Sequence, residues 1–285
     1  SCSIQAMNKF YITTAIAYVN AAPHIGFALE LCQADALARY NRIQKKDVYF
    51  LTGTDEHGTK IEQTARELGM SPQDMADKNS ELVRELANKL EISNDDYVRT
   101  TSEIHKRGAQ KFWNLISHKI YEKEYEGLYC VGCESFIPEK DLVDGLCTLH
   151  KKAPQKLKEK NYFFKLSEYS EEIKKKILSE EIVIKPESRR NEFLSLLEEG
   201  LQDVSFSRPK KSLTWGIDVP GDDDQVMYVW CDALTNYISA LDFADDAEKV
   251  AKYWPADVHL IGKDIIRFHA GIWIGMLMAA NLPLP

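Results

Sequence analysis

The chain has 285 residues, 44% hydrophobic and 28% charged, the balance of an ordinary soluble globular protein long enough for a full core. Its net charge of −8 argues against broad nucleic-acid binding, which needs clustered cations, although Lys151, Lys152, Lys156, Lys158 and Lys160 leave local contacts open. No apolar run reaches the ~20 residues of a membrane span. The first ten residues, SCSIQAMNKF, lack the basic and apolar stretches of a signal peptide, so a cytoplasmic protein with no membrane partner is expected.

Residues 9–16 (KFYITTAI) are β-branched and aromatic and predict a strand. A turn through Asn20 and Pro23 leads to His24-Ile25-Gly26, and apolar residues at Leu31, Ala34, Leu37 and Ala38 then predict a helix to about Gln44. Residues 47–52 (DVYFLT) form a near-continuous apolar run, as in a parallel strand covered on both faces. The glycine-bounded loop from Gly53 to Gly58 follows it. Helices are expected at 59–68 and 73–90, the second with Ser71 as N-cap and Pro72 in its first turn. This strand–helix alternation implies a doubly wound parallel sheet, in which ligands sit beyond the carboxyl ends of the strands. His24 and Asp55 both fall there.

Residues 121–225 change character, with a cysteine cluster, the lysine stretch and a helical pattern at 188–197, and read as an inserted domain. Sheet-like patterning resumes at 226–231 (VMYVWC) with a helix from Ala233. A strand at 258–261 runs through Gly262-Lys263-Asp264 into an apolar helix at 265–280. Such a crossover helix should deliver another parallel strand, so the chain reads as a fragment of its fold.

Cys130-x2-Cys133 and Cys147-x2-His150 are two short ligand pairs of the kind that close a tetrahedron around zinc. Four protein ligands leave no open position, so a structural metal is expected. Cys32 and Cys231 lie outside this set and are expected to be buried thiols. His24 and Gly26, at a strand-to-helix junction, form a natural phosphate site at a helix N-terminus. Asp264 after the later strand offers a carboxylate for ribose hydroxyls. Read without context, Asp55 is equally a helix cap, Glu30 a solvated helix face, and Ile265, Phe268, His269 and Trp273 core positions.

Taken together, the segment from Tyr18 to Gly26, the loop Gly53-Thr-Asp-Glu-His-Gly58, Tyr228-Val-Trp-Cys-Asp-Ala233 and Gly262-Lys-Asp-Ile-Ile-Arg-Phe-His269 occur in the order found in methionyl-tRNA synthetases, which the whole chain resembles. The resemblance implies an α/β fold, a Rossmann-like doubly wound parallel sheet split by a zinc-binding connective-peptide insertion. Its domains would be 1–120 and 226–285 for the two halves of the catalytic domain and 121–225 for the insertion.

The implied reaction activates methionine with ATP to methionyl-adenylate and transfers it to tRNA(Met), with Mg2+ accompanying the ATP and Zn2+ structural at Cys130, Cys133, Cys147 and His150. His24 matches the first histidine of the family's HIGH signature and is the implied catalytic residue. Gly26, Glu30, Gly262 and Asp264 match the adenosine pocket. Asp55 matches the carboxylate that holds the substrate ammonium. Ile16, Tyr18, Trp230, Ala233, Leu234, Tyr237, Ile265, Phe268, His269 and Trp273 match the methionine pocket wall.

Phe27 stands where HIGH has its second histidine, and Ala17 and Leu234 stand where many relatives have proline. The family's Lys-Met-Ser-Lys-Ser loop does not occur before Pro285. Two alternatives stay open: a methionine- and ATP-binding fragment that is catalytically incomplete, and another class I aminoacyl-tRNA synthetase.

Overall fold

The computed structural model describes residues 8–285, so most of the stretch read for a signal peptide lies outside the described residues. Strands β1 (Lys9–Thr14), β2 (Ala17–Tyr18), β3 (Asp47–Asp55) and β4 (Asp96–Arg99) join strand Val258–Leu260 in a five-stranded sheet whose pairings are all parallel. β3 is central, with β1 and then β2 along one side and β4 along the other. Val258–Leu260 lies beyond β1. Between the pairs Thr13–Leu51 and Ala17–Thr54 the first chain advances one residue more than β3, a bulge that breaks the ladder at the strand tips.

Alternation along the strands gives the sheet two apolar faces. Phe10, Ile12, Val48 and Phe50 meet α1 (Ile25–Ile43), whose small Ala34 and Ala38 let the helix lie close. Tyr11, Tyr49 and Leu51 point the other way, onto Ala109, Phe112 and Ile116 of a helix at Glu103–Ile116. Helices thus cover both faces, as the apolar run of β3 requires. α1 departs from expectation at two positions. Leu37 is 40% exposed, and Cys32 is exposed rather than buried because it follows the core-facing Leu31 by a third of a turn.

Helices Thr59–Glu67 and Pro72–Lys89 follow β3 as expected, and the Ser71 hydroxyl accepts from the Asp74 amide to cap the second. β4 and the helix at Glu103–Ile116 were not legible in advance.

From residue 120 the chain builds a long antiparallel hairpin, β5 (Ile120–Cys130) with strand Gln155–Phe164, flanked by β6 (Ser135–Ile137) and Val204–Ser205. Lys156, Lys158 and Lys160 of the lysine stretch lie on this hairpin. Lys156 pairs with Glu126 at 2.7 Å and Lys160 with Glu122, so these two belong to a cross-strand charge ladder. Helices Ser170–Leu178 and Glu187–Glu198 follow, and their Ile173, Ile177, Phe193 and Leu197 share one core with Leu51, Phe112 and Phe164.

The segment 226–231 is not a strand of the parallel sheet. Strand Asp222–Met227 pairs antiparallel with Ser207–Pro209 and Asp218–Val219, and a helix begins at Val229 and runs to Leu234. Its apolar run is buried by this strand-to-helix turn instead of by a sheet interior. The expected helix at 265–280 is also irregular. A 3-10 turn at Lys263–Ile265 leads to a π-helix, Arg267–Trp273, and only then to an α-helix, Ile274–Ala279. Wide turns of this kind are rare and concentrate where side chains must be re-aimed.

Candidate functional site

Asp55 ends β3 in register with Tyr18 of β2, and Val19 donates its amide to the Asp55 carbonyl at 3.1 Å. It caps no helix, because the following one starts after Gly58 with no side-chain cap. Its carboxylate is buried, and Oδ1 has no hydrogen-bond partner. Burial, reinforced by Asp232 and Glu134 nearby, holds its pKa well above the usual carboxylate range. A buried, unpartnered oxygen among other acids is a strong attractor for a cation.

Beside it stands Tyr237, fully buried, whose hydroxyl is pushed far up by burial and by the charges of Glu30 and Asp55. His269 Nδ1 donates to the Ile265 carbonyl at 3.0 Å, so Nε2 accepts from the Tyr237 hydroxyl at 2.7 Å. Burial lowers the His269 pKa to about 4, so the ring is neutral at pH 7. His259 repeats the pattern on another side of Tyr237, its ring 4.3 Å from the tyrosine ring. Its Nε2 accepts from the Trp273 indole at 3.3 Å and its Nδ1 donates to Thr13 Oγ1 at 2.7 Å, with its pKa lowered to about 3. The result is a buried aromatic cluster whose two histidines are neutral.

The other expected pocket residues divide into two groups. Trp230 stacks on Phe268 with ring centroids 3.9 Å apart and meets His269 edge-on. Trp230, Ile265, Phe268 and Asp264 line a cavity of about 720 Å3 that also reaches Cys133 and His150. Ile16 is half-buried against the main core. Ala233, Leu234 and Trp273 are core side chains, Trp273 packing on Phe112 and Trp254.

At the nucleotide side, His24 is the exposed N-cap of α1, and its Nδ1 accepts from the Gly26 amide at 3.0 Å. Phe27 and Ala28 donate to the His24 carbonyl, so the first-turn amides expected to meet phosphate are largely engaged. The donors still open here are His24 Nε2–H and the Ile25 amide. Glu30 is no solvated helix residue: its Oε1 accepts from the Ala15 amide at the bulge, 2.7 Å away. Burial raises its pKa to about 7 against that opposing bond. Gly262 and Asp264 are exposed, Asp264 paired to Lys263 at 2.5 Å, and the side-chain position at Gly262 opens on empty space.

The cysteine cluster closes as its spacing requires. Ligand atoms of Cys130, Cys133, Cys147 and His150 all lie within 4.8 Å of one another. The three Sγ atoms lie 3.9, 3.3 and 3.8 Å from His150 Nδ1, close to the edges of a tetrahedron with metal bonds of about 2.0–2.3 Å. Gly132 permits the approach, since a side chain there would sit 2.4 Å from the His150 ring. Burial raises the Cys147 thiol, but amides and the His150 ring outweigh it and bring its pKa to about 6. These residues can hold a metal ion and are compatible with zinc.

Among known proteins, the family model described as tRNA synthetases class I (M) matches residues 10–147 and 139–285. The chain belongs to this family. Methionine--tRNA ligases of Streptomyces coelicolor and Brucella suis are each 47% identical, over 99% and 97% of this chain. The chain spans about half the length of the relatives it matches, 54% and 55%. The solved Mycobacterium tuberculosis methionyl-tRNA synthetase in complex with methionyl-adenylate superposes with a TM-score of 0.94 at 44% identity, covering 98% of this chain and 56% of that one. The fold is therefore that of a class I synthetase with a parallel sheet.

Several residues at this class I site escaped the motif reading. Asp232, fully buried, accepts from His57 Nδ1 and His105 Nε2, each at 2.6 Å, and His105 reaches Ser239 at 2.8 Å. Burial would raise Asp232, but the two histidines hold it at about 2. Glu134 is a second buried acid near Asp55. His57 and Asp232 lie inside quoted motifs and could have been found there. His105 and Glu134 carry no local signal.

Proposed function

We propose that this chain is the methionine- and ATP-binding part of a methionine--tRNA ligase, which forms methionyl-adenylate and passes the amino acid to tRNA(Met) in the cytoplasm. The observation that carries the reading is the buried, partnerless Oδ1 of Asp55 beside Tyr237 and the neutral His269. A free amino acid's ammonium satisfies that oxygen, and an uncharged thioether suits the space beside Tyr237 and His269. Binding of methionyl-adenylate by the Mycobacterium tuberculosis relative supports the same assignment.

In this reading Asp55 grips the ammonium. Ile16, Tyr18, Tyr237 and His269 line the inner recess, Trp230, Ile265 and Phe268 its outer side, and Ala233, Leu234 and Trp273 back it. Gly26, Glu30, Gly262 and Asp264 frame the adenosine, and His24 Nε2–H stabilises the phosphates as catalytic residue. The methionine carboxylate attacks the α-phosphorus of the magnesium-bound ATP and pyrophosphate leaves. No protein nucleophile is needed, because positioning and charge stabilisation lower the barrier. The Cys130, Cys133, Cys147 and His150 set holds structural zinc in a connective insertion, 121–225, between catalytic segments 1–120 and 226–285.

Methionine-dependent exchange of labelled pyrophosphate into ATP tests the proposal. Exchange with methionine, and none with leucine, valine, isoleucine or cysteine, supports it. Preference for one of those four would assign the chain to another class I synthetase. A second reading, binding without adenylate formation, is favoured by Phe27, which is buried against Leu31 and Val83 and supplies no donor at the phosphates. Calorimetric binding of methionine with no exchange would select it.

A further inference from the structure

We infer that Glu134 is a positioning residue that couples the metal knuckle to the amino-acid recess, so that metal occupancy sets methionine affinity through Tyr18. This deepens the proposed function and rests on the recess being an amino-acid site. Glu134 directly follows the ligand Cys133, yet its side chain leaves the knuckle. It is 4% exposed and holds a left-handed backbone, φ 50°, which non-glycine residues adopt only when their surroundings dictate it.

Both of its oxygens are committed. Oε1 accepts from the Tyr18 hydroxyl at 2.9 Å and from the Lys60 amide at 2.6 Å, and Oε2 accepts from the Tyr129 hydroxyl at 2.5 Å. Tyr18 is the register partner of Asp55, and Lys60 lies in the first turn of the helix that follows the Asp55 loop. One carboxylate therefore bridges β5, the knuckle, β2 and that helix. Gly58 makes the bridge fit: its φ is 109°, and a side chain there would lie 2.9 Å from the Tyr18 hydroxyl and 3.0 Å from Glu134 Oε1. When the four ligands are gathered on a metal, Cys133 is fixed and Glu134 with it. Without that restraint the bridge loosens, and Tyr18 and the Asp55 strand tip lose their hold.

The test is a cycle of two perturbations read by methionine affinity in calorimetry, with metal content measured by plasma emission. Glu134→Ala should retain its metal and bind methionine about tenfold more weakly. Removing metal from the wild type with a chelator should weaken binding by a similar factor. The same removal from Glu134→Ala should cost less than about twofold more, because both perturbations break one link. Glu134→Gln, whose amide oxygen still accepts from Tyr18 and Lys60, should stay within about threefold of the wild type. If Glu134→Ala loses its far-UV circular dichroism, Tyr18→Phe cuts the far end instead and should likewise make affinity insensitive to metal. Factors that multiply, or Glu134→Ala with full affinity, would overturn the inference and leave the recess standing. A wild type that binds no methionine would overturn both.

Discussion

Tyr237 gives its hydroxyl hydrogen to Nε2 of His269 across 2.7 Å, and the other side of the same ring is tied to the Ile265 carbonyl in the 3-10 turn before the π-helix. With Nδ1 donating to Ile265, the contact leaves Nε2 of the neutral His269 as the acceptor. Tyr237→Phe should orphan Nε2 in a buried site and cost on the order of 1–3 kcal/mol of stability. Urea denaturation measures it. A loss near zero would mean that water or another donor replaces the hydroxyl.

The same histidine predicts acid sensitivity. Its pKa in the fold is depressed to about 4 from the ordinary 6.5, so the unfolded chain takes up the proton first. Stability contributed by the neutral ring is present above the ordinary value and is lost as pH falls through about 4. His269→Gln should flatten the stability profile in that window, as thermal midpoints against pH will record.

Asp55→Asn separates binding from stability. The amide replaces a buried acid whose charged form is already disfavoured by burial and by Asp232 and Glu134, so the thermal midpoint should hold or rise. Methionine affinity should fall by about 10–100-fold, the worth of a charge-assisted hydrogen bond. A variant that loses stability and keeps its affinity would move the ammonium site elsewhere.

Glu30 titrates in the opposite sense to a salt-bridged acid. Its pKa in the fold is raised to about 7 from 4.5, so the folded state keeps a proton that the unfolded state has released. Stability should therefore fall as pH rises from about 4.5 towards 7 and then level off. Glu30→Gln should remove this slope while keeping an acceptor for the Ala15 amide. An unchanged slope would show that another group carries it.

Asp232 holds two histidines from different elements against the helix that carries Trp230. Asp232→Asn leaves at least one buried ring nitrogen mismatched and should destabilise by about 3–5 kcal/mol. Denaturant titration would register it as a lower midpoint at unchanged slope.

What the sequence disclosed follows from the range of the forces involved. The cap at Ser71, the apolar run of β3 and the paired ligands of the knuckle are set by neighbours a few residues away, and they could be read directly. The run at 226–231 could not. An apolar hexamer suits a buried strand and a buried helix turn equally, and only the packing of Val229, Cys231 and Leu234 into the main core decides for the turn. Cys32 was misplaced because one residue along a helix separates core from solvent. β4 is four residues long with a single buried side chain, too little pattern to detect. The pairing of His105 with Asp232 spans 127 residues, and Glu134 reaches Tyr18 across 116, distances over which composition and periodicity say nothing.

If the free oxygen of Asp55 holds a substrate ammonium beside Tyr237, the amino group must carry much of the binding. Calorimetry comparing L-methionine with 4-(methylthio)butanoate, the same molecule without its amino group, tests it most directly. Methionine should bind and the analogue should bind at least about tenfold more weakly, with Asp55→Asn abolishing the difference. Equal affinity of the wild type for both compounds would contradict it.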